Sequence, residues 1–236
     1  NSTQDRGKIG LPSFIPELGL YYFLVALYFF AFGMQFVLYP ALVTFILAAT
    51  PEGVGLAQSA LSAPMFCLLL FGGLIAERSR PSTTLARLHL LMALAGVALC
   101  VVVSNNGLTY PILIAYAIFV GSCAAFTMPV RDAALNGVIG REAEFGRLTP
   151  IATAAAMTTA VQIGAQIAGI LVTRSAGANP APYIAGQSLV LAMAALVSLG
   201  LQAPKPTGHE RTISGAIRDV REGLAYCFRS PIMAPC

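Results

Sequence analysis

LGLYYFLVALYFFAFGMQFVLYPALVTFILAATP, residues 18–51, contains no Asp, Glu, Lys, Arg or His. A membrane-spanning α-helix needs about 20 apolar residues at about 1.5 Å each, and this run is longer than that. It is also too long for the apolar core of a signal peptide. The run predicts a first membrane helix over residues 20–48. Pro40 falls inside it and should kink it, which a membrane helix tolerates when neighbours satisfy the freed carbonyl. The turn Thr50-Pro51-Glu52-Gly53 closes the run.

The rest of the chain repeats the pattern. The 236 residues are 57% hydrophobic and 10% charged, where a soluble domain carries about 25% charged residues. So few charges cannot cover a water-facing surface. Five further apolar runs predict helices over residues 54–76, 84–104, 110–128, 148–173 and 183–202, separated by short polar turns. Asn105-Asn106-Gly107 is one such turn, and Pro64 is expected to bend the second helix. Pro111 sits in the first turn of the fourth helix, where its missing N–H costs nothing. The fourth helix is expected to stop near Met128, because residues 129–147 are polar and hold six charges. The fold class read from this pattern is an all-α membrane protein, a bundle of six transmembrane helices over residues 18–203. Residues 1–17 form an amino-terminal tail and residues 204–236 a polar end segment.

Orientation follows from the basic residues. Thirteen of the fourteen Lys and Arg fall in the tail, the loop or first helical turn between helices two and three, the loop between helices four and five, and the end segment. The exception is Arg174. That bias places both ends on the cytoplasmic side. In the end segment Ile213, Ile217, Val220, Leu224 and Phe228 recur at spacings of three and four with charges between them, which predicts an amphipathic helix. It either lies on the inner membrane face or packs on neighbouring helices. The chain starts at Asn1 and ends at Pro235-Cys236, and reads as a piece of something longer.

Residues 73–79, Gly-Leu-Ile-Ala-Glu-Arg-Ser, close the second helix. Residues 169–175, Gly-Ile-Leu-Val-Thr-Arg-Ser, close the fifth. The two segments lie three helices apart and end on opposite membrane sides, as an inverted three-plus-three repeat would give.

Three segments carry candidate mechanism. In the turn between helices two and three, Gly73 allows close helix approach. Glu77 can accept a bond from a partner helix there, and Arg78 and Arg80 can pair with carboxylates. Such a cluster either latches one conformational state or anchors the positive-inside end. At the end of the fourth helix Pro129 stops or bends the chain and aims Arg131 toward the cytoplasmic face, with Asp132 and Glu142 as candidate partners. In the fifth helix Gly164, Ala168 and Gly169 form a small-residue stripe for close packing. Gln162 and Gln166 lie one turn apart on one face of that helix. With Gln35 they form the candidate substrate path, since polar side chains inside a membrane usually face a bundle or cavity; interhelical bonding is the other reading.

These segments resemble those of the major facilitator superfamily. That family carries G-x-L-a-D-R-x-G-R-r between its second and third helices. Gly73, Ala76, Glu77 and Arg78 match, with Glu for Asp, while Arg80 and Pro81 depart from the pattern. The stretch Pro129-Val130-Arg131 is similar to the P-x-R segment of its exporter branch, which includes siderophore exporters and multidrug efflux pumps. The fifth-helix stripe resembles that branch's i-G-P-a-l-a-G, with Ala165 for Pro. The resemblance implies twelve helices in two bundles. This chain would then be the first bundle, the central loop and the start of the seventh helix. It implies a secondary active transporter of a bacterial inner membrane, an antiporter exporting a small amphipathic molecule by alternating access. Its partners would be that substrate, membrane lipids and a missing carboxy-terminal six-helix half. No nucleic acid is expected as a partner.

The sequence also argues against other classes. No C-x-x-C pair exists among the five Cys, so neither a metal centre nor any other cofactor is expected. No paired acids within a span suggest an enzyme, and the only histidine that could serve a serine nucleophile, His89, is expected near the cytoplasmic end of the third helix. No G-x-x-x-x-G-K-[ST] loop accompanies the helices. The membrane domain of an ATP-driven transporter therefore needs a nucleotide-binding partner, and stands as an alternative beside a non-transporting scaffold. No Asp, Glu, Lys or Arg is expected well inside a span.

Overall fold

The computed structural model describes residues 17–144, 151–174 and 179–202. Six long α-helices form these residues: α1 Glu17–Ala41, α2 Pro51–Arg78, α3 Pro81–Ser104, α4 Tyr110–Glu144, α5 Ile151–Thr173 and α6 Ala181–Gly200. The amino-terminal tail, the end segment with its expected amphipathic helix, and the expected start of a seventh helix lie outside the described residues.

Helix ends follow local chemistry. Pro51 and Pro81 occupy first-turn positions of α2 and α3, where proline suits the fixed φ and the missing donor. The Thr50 side chain accepts the Gly53 N–H at 3.3 Å and caps α2. Two residues after Pro40, α1 loosens into a π-helical turn over Leu42–Ile46. There Leu47 N–H donates to Leu42 O at 3.1 Å, the wider ring such turns use. Ala48 ends it in the left-handed region at φ 45°.

Among the described residues five segments are long and apolar enough to cross a membrane: α1 with its π turn, α3, the stretch Tyr110–Gly140 of α4, α5 and α6. The sixth long helix, α2, has 28 residues and turns Leu56, Phe66 and Phe71 outward, as a lipid-facing helix does. The protein is an integral membrane protein.

The fourth helix departs from expectation. It continues through Pro129 to Glu144 instead of stopping near Met128. Val130, Ala134, Leu135, Val138 and Ile139 are all buried, and their three- and four-residue spacing is a helical core stripe. Burial of that stripe outweighs the local polarity of residues 131–144. Arg131 and Asp132 therefore lie within a membrane-length helix, against the expectation that no charged residue would sit well inside a span. Arg131 is nine residues from Gly140, about 13 Å along the helix axis.

The helix contacts have a twofold pattern. Exchanging α1, α2 and α3 with α4, α5 and α6 maps the α1–α5 contact onto α4–α2, and α1–α6 onto α4–α3. The α3–α6 and α1–α4 contacts map onto themselves. Glycines draw the same pairs together. A Cβ on Gly33 of α1 would stand 2.1 Å from Gln166 O of α5, and one on Gly169 of α5 would stand 2.1 Å from Phe30 O of α1. In the other pair a Cβ on Gly121 of α4 would stand 2.2 Å from Leu61 O of α2, and one on Gly72 of α2 would stand 2.7 Å from Ala125 O of α4. Lipid offers no hydrophobic drive for helix association, so this backbone contact is what holds the pairs.

The Gly72 contact sits at the proline. Pro129 has no N–H to bond the carbonyl four residues earlier, which is Ala125 O. Gly72 packs on both, with its would-be Cβ 2.8 Å from Pro129 Cγ. A neighbouring helix thereby covers the weak point of α4.

The buried apolar residues form two clusters. One surrounds Tyr21, Leu24, Tyr28, Phe29, Leu85, Met92 and Val138. The other surrounds Met34, Leu38, Leu42, Leu99, Leu113 and Ile184. They divide along α1 between Ala31 and Met34, at the level of Gly33. At the second cluster's end Tyr39 Oη donates to Ala57 O at 2.9 Å and Tyr110 Oη to Gly53 O at 2.7 Å, tying α1 and α4 to the start of α2.

Candidate functional site

A cavity of about 140 Å³ opens where the two clusters divide, between α1, α2 and α4, with α3 and α6 behind it. Phe32, Phe36, Met65 and Met92 are among the large apolar side chains of its wall, and Gln35, Gln58, Ser62 and Gln187 form its polar edge. Aromatic and thioether side chains make a polarizable, adaptable surface. Among the described residues no Asp, Glu, Lys or Arg lines it. The arrangement suits a molecule with a large apolar body and a few hydrogen-bonding groups.

Gln35 organises the polar edge. It is 5% exposed, and its Oε1 accepts from Tyr116 Oη at 3.0 Å and from Gln187 Nε2. Three helices, α1, α4 and α6, meet in that pair of bonds. Both lone pairs of the oxygen are then in use, which leaves the amide N–H donors of Gln35 for the cavity. Across from it, Ser62 Oγ donates to Gln58 O at 3.1 Å, so its lone pairs stay available.

A second polar cluster lies on α4. Arg131 donates to Asp132 Oδ1 through Nε at 3.0 Å and Nη2 at 2.8 Å, and to Gln162 Oε1 of α5 through Nη1 at 3.2 Å. Its guanidinium carbon stands 5.3 Å from the centre of the Phe29 ring, within cation–π range. The Arg131 side chain is 14% exposed and that of Asp132 63%. The charge is therefore buried in the bundle while its counter-charge stays at the surface.

The structure separates the three expected path residues. Gln35 lines the cavity, Gln162 holds Arg131, and Gln166 enters the α1–α5 crossing through its backbone under Gly33. In the expected latch turn Gly73 has nothing within 4 Å of a would-be Cβ, and the close contact falls on Gly72. Glu77 and Arg78 end α2, but their side chains lie outside the described residues, as does that of Glu142. Arg80 is exposed and its carbonyl accepts the Thr84 N–H at 3.1 Å, opening α3. Pro129 lies inside α4, not at its end. In the α5 stripe Gly169 packs on α1, Ala168 is half-buried, and Gly164 is exposed with open space around it.

Gln58, Tyr116 and Gln187 belong to the site although the sequence reading did not place them in it. Gln187 carried a signal, since it is an amide inside an apolar run. Tyr116 carried none, because its role depends on which side chain stands opposite.

Comparison with known proteins gives one result. A family model described as the Major Facilitator Superfamily matches residues 21–236. No curated protein and no solved structure matches the chain.

Proposed function

Since the chain belongs to the major facilitator superfamily, a family of membrane transporters, we propose that it is the amino-terminal half of a secondary exporter of small amphipathic molecules. The observation that carries this reading is the central cavity, with its aromatic and Met wall and uncharged amide edge. A substrate would lay its apolar body against Phe32, Phe36, Met65 and Met92 and hydrogen-bond to Gln35 and Gln58. A carboxy-terminal six-helix half would close the open side, and rocking of the two halves would expose the cavity to each membrane face in turn. Both ends of the chain would face the cytoplasm, as thirteen of its fourteen basic residues favour, in a bacterial inner membrane.

The α4–α5 link fits such a motion. Arg131 joins α4, which packs chiefly on α2, to α5, which packs chiefly on α1, and its exposed partner Asp132 is free to exchange contacts when the bundle rocks. The turn around Gly73, Glu77, Arg78 and Arg80 would act as the conformational latch.

The test is efflux of a lipophilic fluorescent dye from proteoliposomes holding the full-length protein under an imposed ion gradient. Dye extrusion that falls with Gln35→Leu supports the reading. Retention of the dye in wild-type vesicles under proton and sodium gradients alike overturns it.

A further inference from the structure

The polar edge of the central cavity has a fixed sense. Gln35 is 5% exposed, and its Oε1 takes the Tyr116 Oη proton at 3.0 Å and an Nε2 hydrogen of Gln187. Turning the Gln35 amide over would leave the Tyr116 proton without that acceptor, so the hydroxyl sets which end of the amide is spent. Gln35 Nε2 makes no hydrogen bond among the described residues, and Gln35 is a wall residue of the cavity. A nearly buried side chain therefore holds two unpartnered N–H donors at an otherwise largely apolar space. A desolvated donor of that kind gains most from a strong acceptor.

No counter-charge awaits a cation in the same space. Among the described residues the wall contains no Asp or Glu. The fixed charge that approaches it is positive. The Arg131 guanidinium carbon stands 5.3 Å from the centre of the Phe29 ring, and that ring meets the ring of Phe32, a wall residue, with centres 6.1 Å apart. The Arg131 side chain is 14% exposed and that of Asp132 63%, so water screens the negative member of the pair more than the positive one. The residual field at that wall is positive. The faces of Phe32 and Phe36 would attract a cation, but weakly against the cost of taking an unpaired charge out of water. Ser62 and Gln58 offer only neutral oxygens.

We propose that the central cavity takes uncharged aromatic molecules carrying a strong hydrogen-bond acceptor, a carbonyl or phosphoryl oxygen, and excludes organic cations. The proposal rests on the transporter reading above and names its substrate class. The acceptor oxygen would sit on the Gln35 N–H groups while the aromatic body lies against Phe32, Phe36 and Met65. Binding completes an amide that the bundle leaves half-bonded. A cation of the same shape loses its hydration and gains no partner for its charge.

Three radiolabelled probes of similar shape separate charge from hydrogen bonding. Triphenylphosphine oxide is uncharged and carries an acceptor. Triphenylmethane is uncharged and carries none. Methyltriphenylphosphonium is a cation without an acceptor. Equilibrium dialysis against the full-length protein in lipid nanodiscs, with empty nanodiscs subtracted, gives each dissociation constant. The oxide should bind about 2–10-fold more tightly than triphenylmethane, the value of one neutral hydrogen bond, and at least about tenfold more tightly than the phosphonium. Gln35→Glu keeps an oxygen for Tyr116 and Gln187 and replaces the N–H donors by a second oxygen. At pH 9, where the new carboxyl is ionised, it should reverse the order of oxide and phosphonium.

A phosphonium bound by the wild type as tightly as the oxide overturns this proposal and leaves the transporter reading standing. So does an oxide bound no more tightly than triphenylmethane, or an order unchanged in Gln35→Glu. No binding of any probe above empty nanodiscs removes the cavity as a site, and the exporter reading falls with it.

Discussion

The Arg131 guanidinium of α4 reaches across to the Gln162 side chain of α5 at 3.2 Å. The bond makes a mostly buried charge of α4, the partner of α2, depend on a neutral amide of α5, the partner of α1. A guanidinium keeps its charge under all ordinary conditions, so it cannot escape burial by losing a proton. Asp132, Gln162 and the Phe29 ring together keep it tolerable there.

A double-mutant cycle with Arg131→Gln and Gln162→Leu should return a coupling of about 0.6–2 kcal/mol, the range for side-chain hydrogen bonds inside membrane bundles. Arg131→Lys should recover little of it, since a single ammonium cannot reach Asp132, Gln162 and the ring at once. Unfolding in mixed micelles measures these energies. Strictly additive single mutants would show that the two side chains act independently.

Neighbouring glycines should respond oppositely. Gly72→Ala drives a methyl into Ala125 O and Pro129 Cγ, and overpacking of that kind costs about 1–3 kcal/mol. Gly73→Ala meets nothing within 4 Å and gains up to about 1 kcal/mol of helix propensity. Melting curves of the two variants decide the matter; equal melting temperatures would contradict the placement of α2 on α4.

The crossing of α1 and α5 makes a parallel claim. Gly33→Ala and Gly169→Ala should each destabilise the bundle by about 1–3 kcal/mol or more, because each Cβ would stand 2.1 Å from a carbonyl oxygen of the other helix. Gly164→Ala should be silent or slightly stabilising. The comparison uses the same thermal assay, and a silent Gly169→Ala would place the crossing elsewhere.

Gln35→Leu removes the acceptor for Tyr116 Oη and Gln187 Nε2. Two donors lose their partner, at about 1–3 kcal/mol each where they stay buried, and the cavity loses its central polar group. Dye efflux should fall and the range of transported dyes should shift toward apolar ones. Gln166→Leu, away from the cavity wall, should leave efflux near wild type. If Gln166→Leu is the more damaging change, the substrate path runs along α5.

Much of the fold was legible because hydropathy is local. A run without charges such as residues 18–51 must leave water whatever surrounds it, and prolines at 51 and 81 mark helix starts by their own geometry. The end of α4 was also legible in principle. Val130, Ala134 and Val138 recur every fourth residue, but the six charges of residues 129–147 mask that stripe when polarity is read first. The candidate site was legible only in part. Gln35 stands out as the amide of a long apolar run, whereas Tyr116 looks like any tyrosine until α4 is laid beside α1.

Membrane residence, helix number and the positive-inside bias are properties of the sequence alone, since each sums transfer free energies that single residues carry with them. The tertiary structure decided which of two adjacent glycines touches a neighbour, whether Arg131 lies at a helix end or inside the bundle, and which polar atoms share a cavity. Those outcomes depend on the relative rotation of packed helices, and a rotation of about 100°, one residue along an α-helix, exchanges a buried side chain for one that faces lipid.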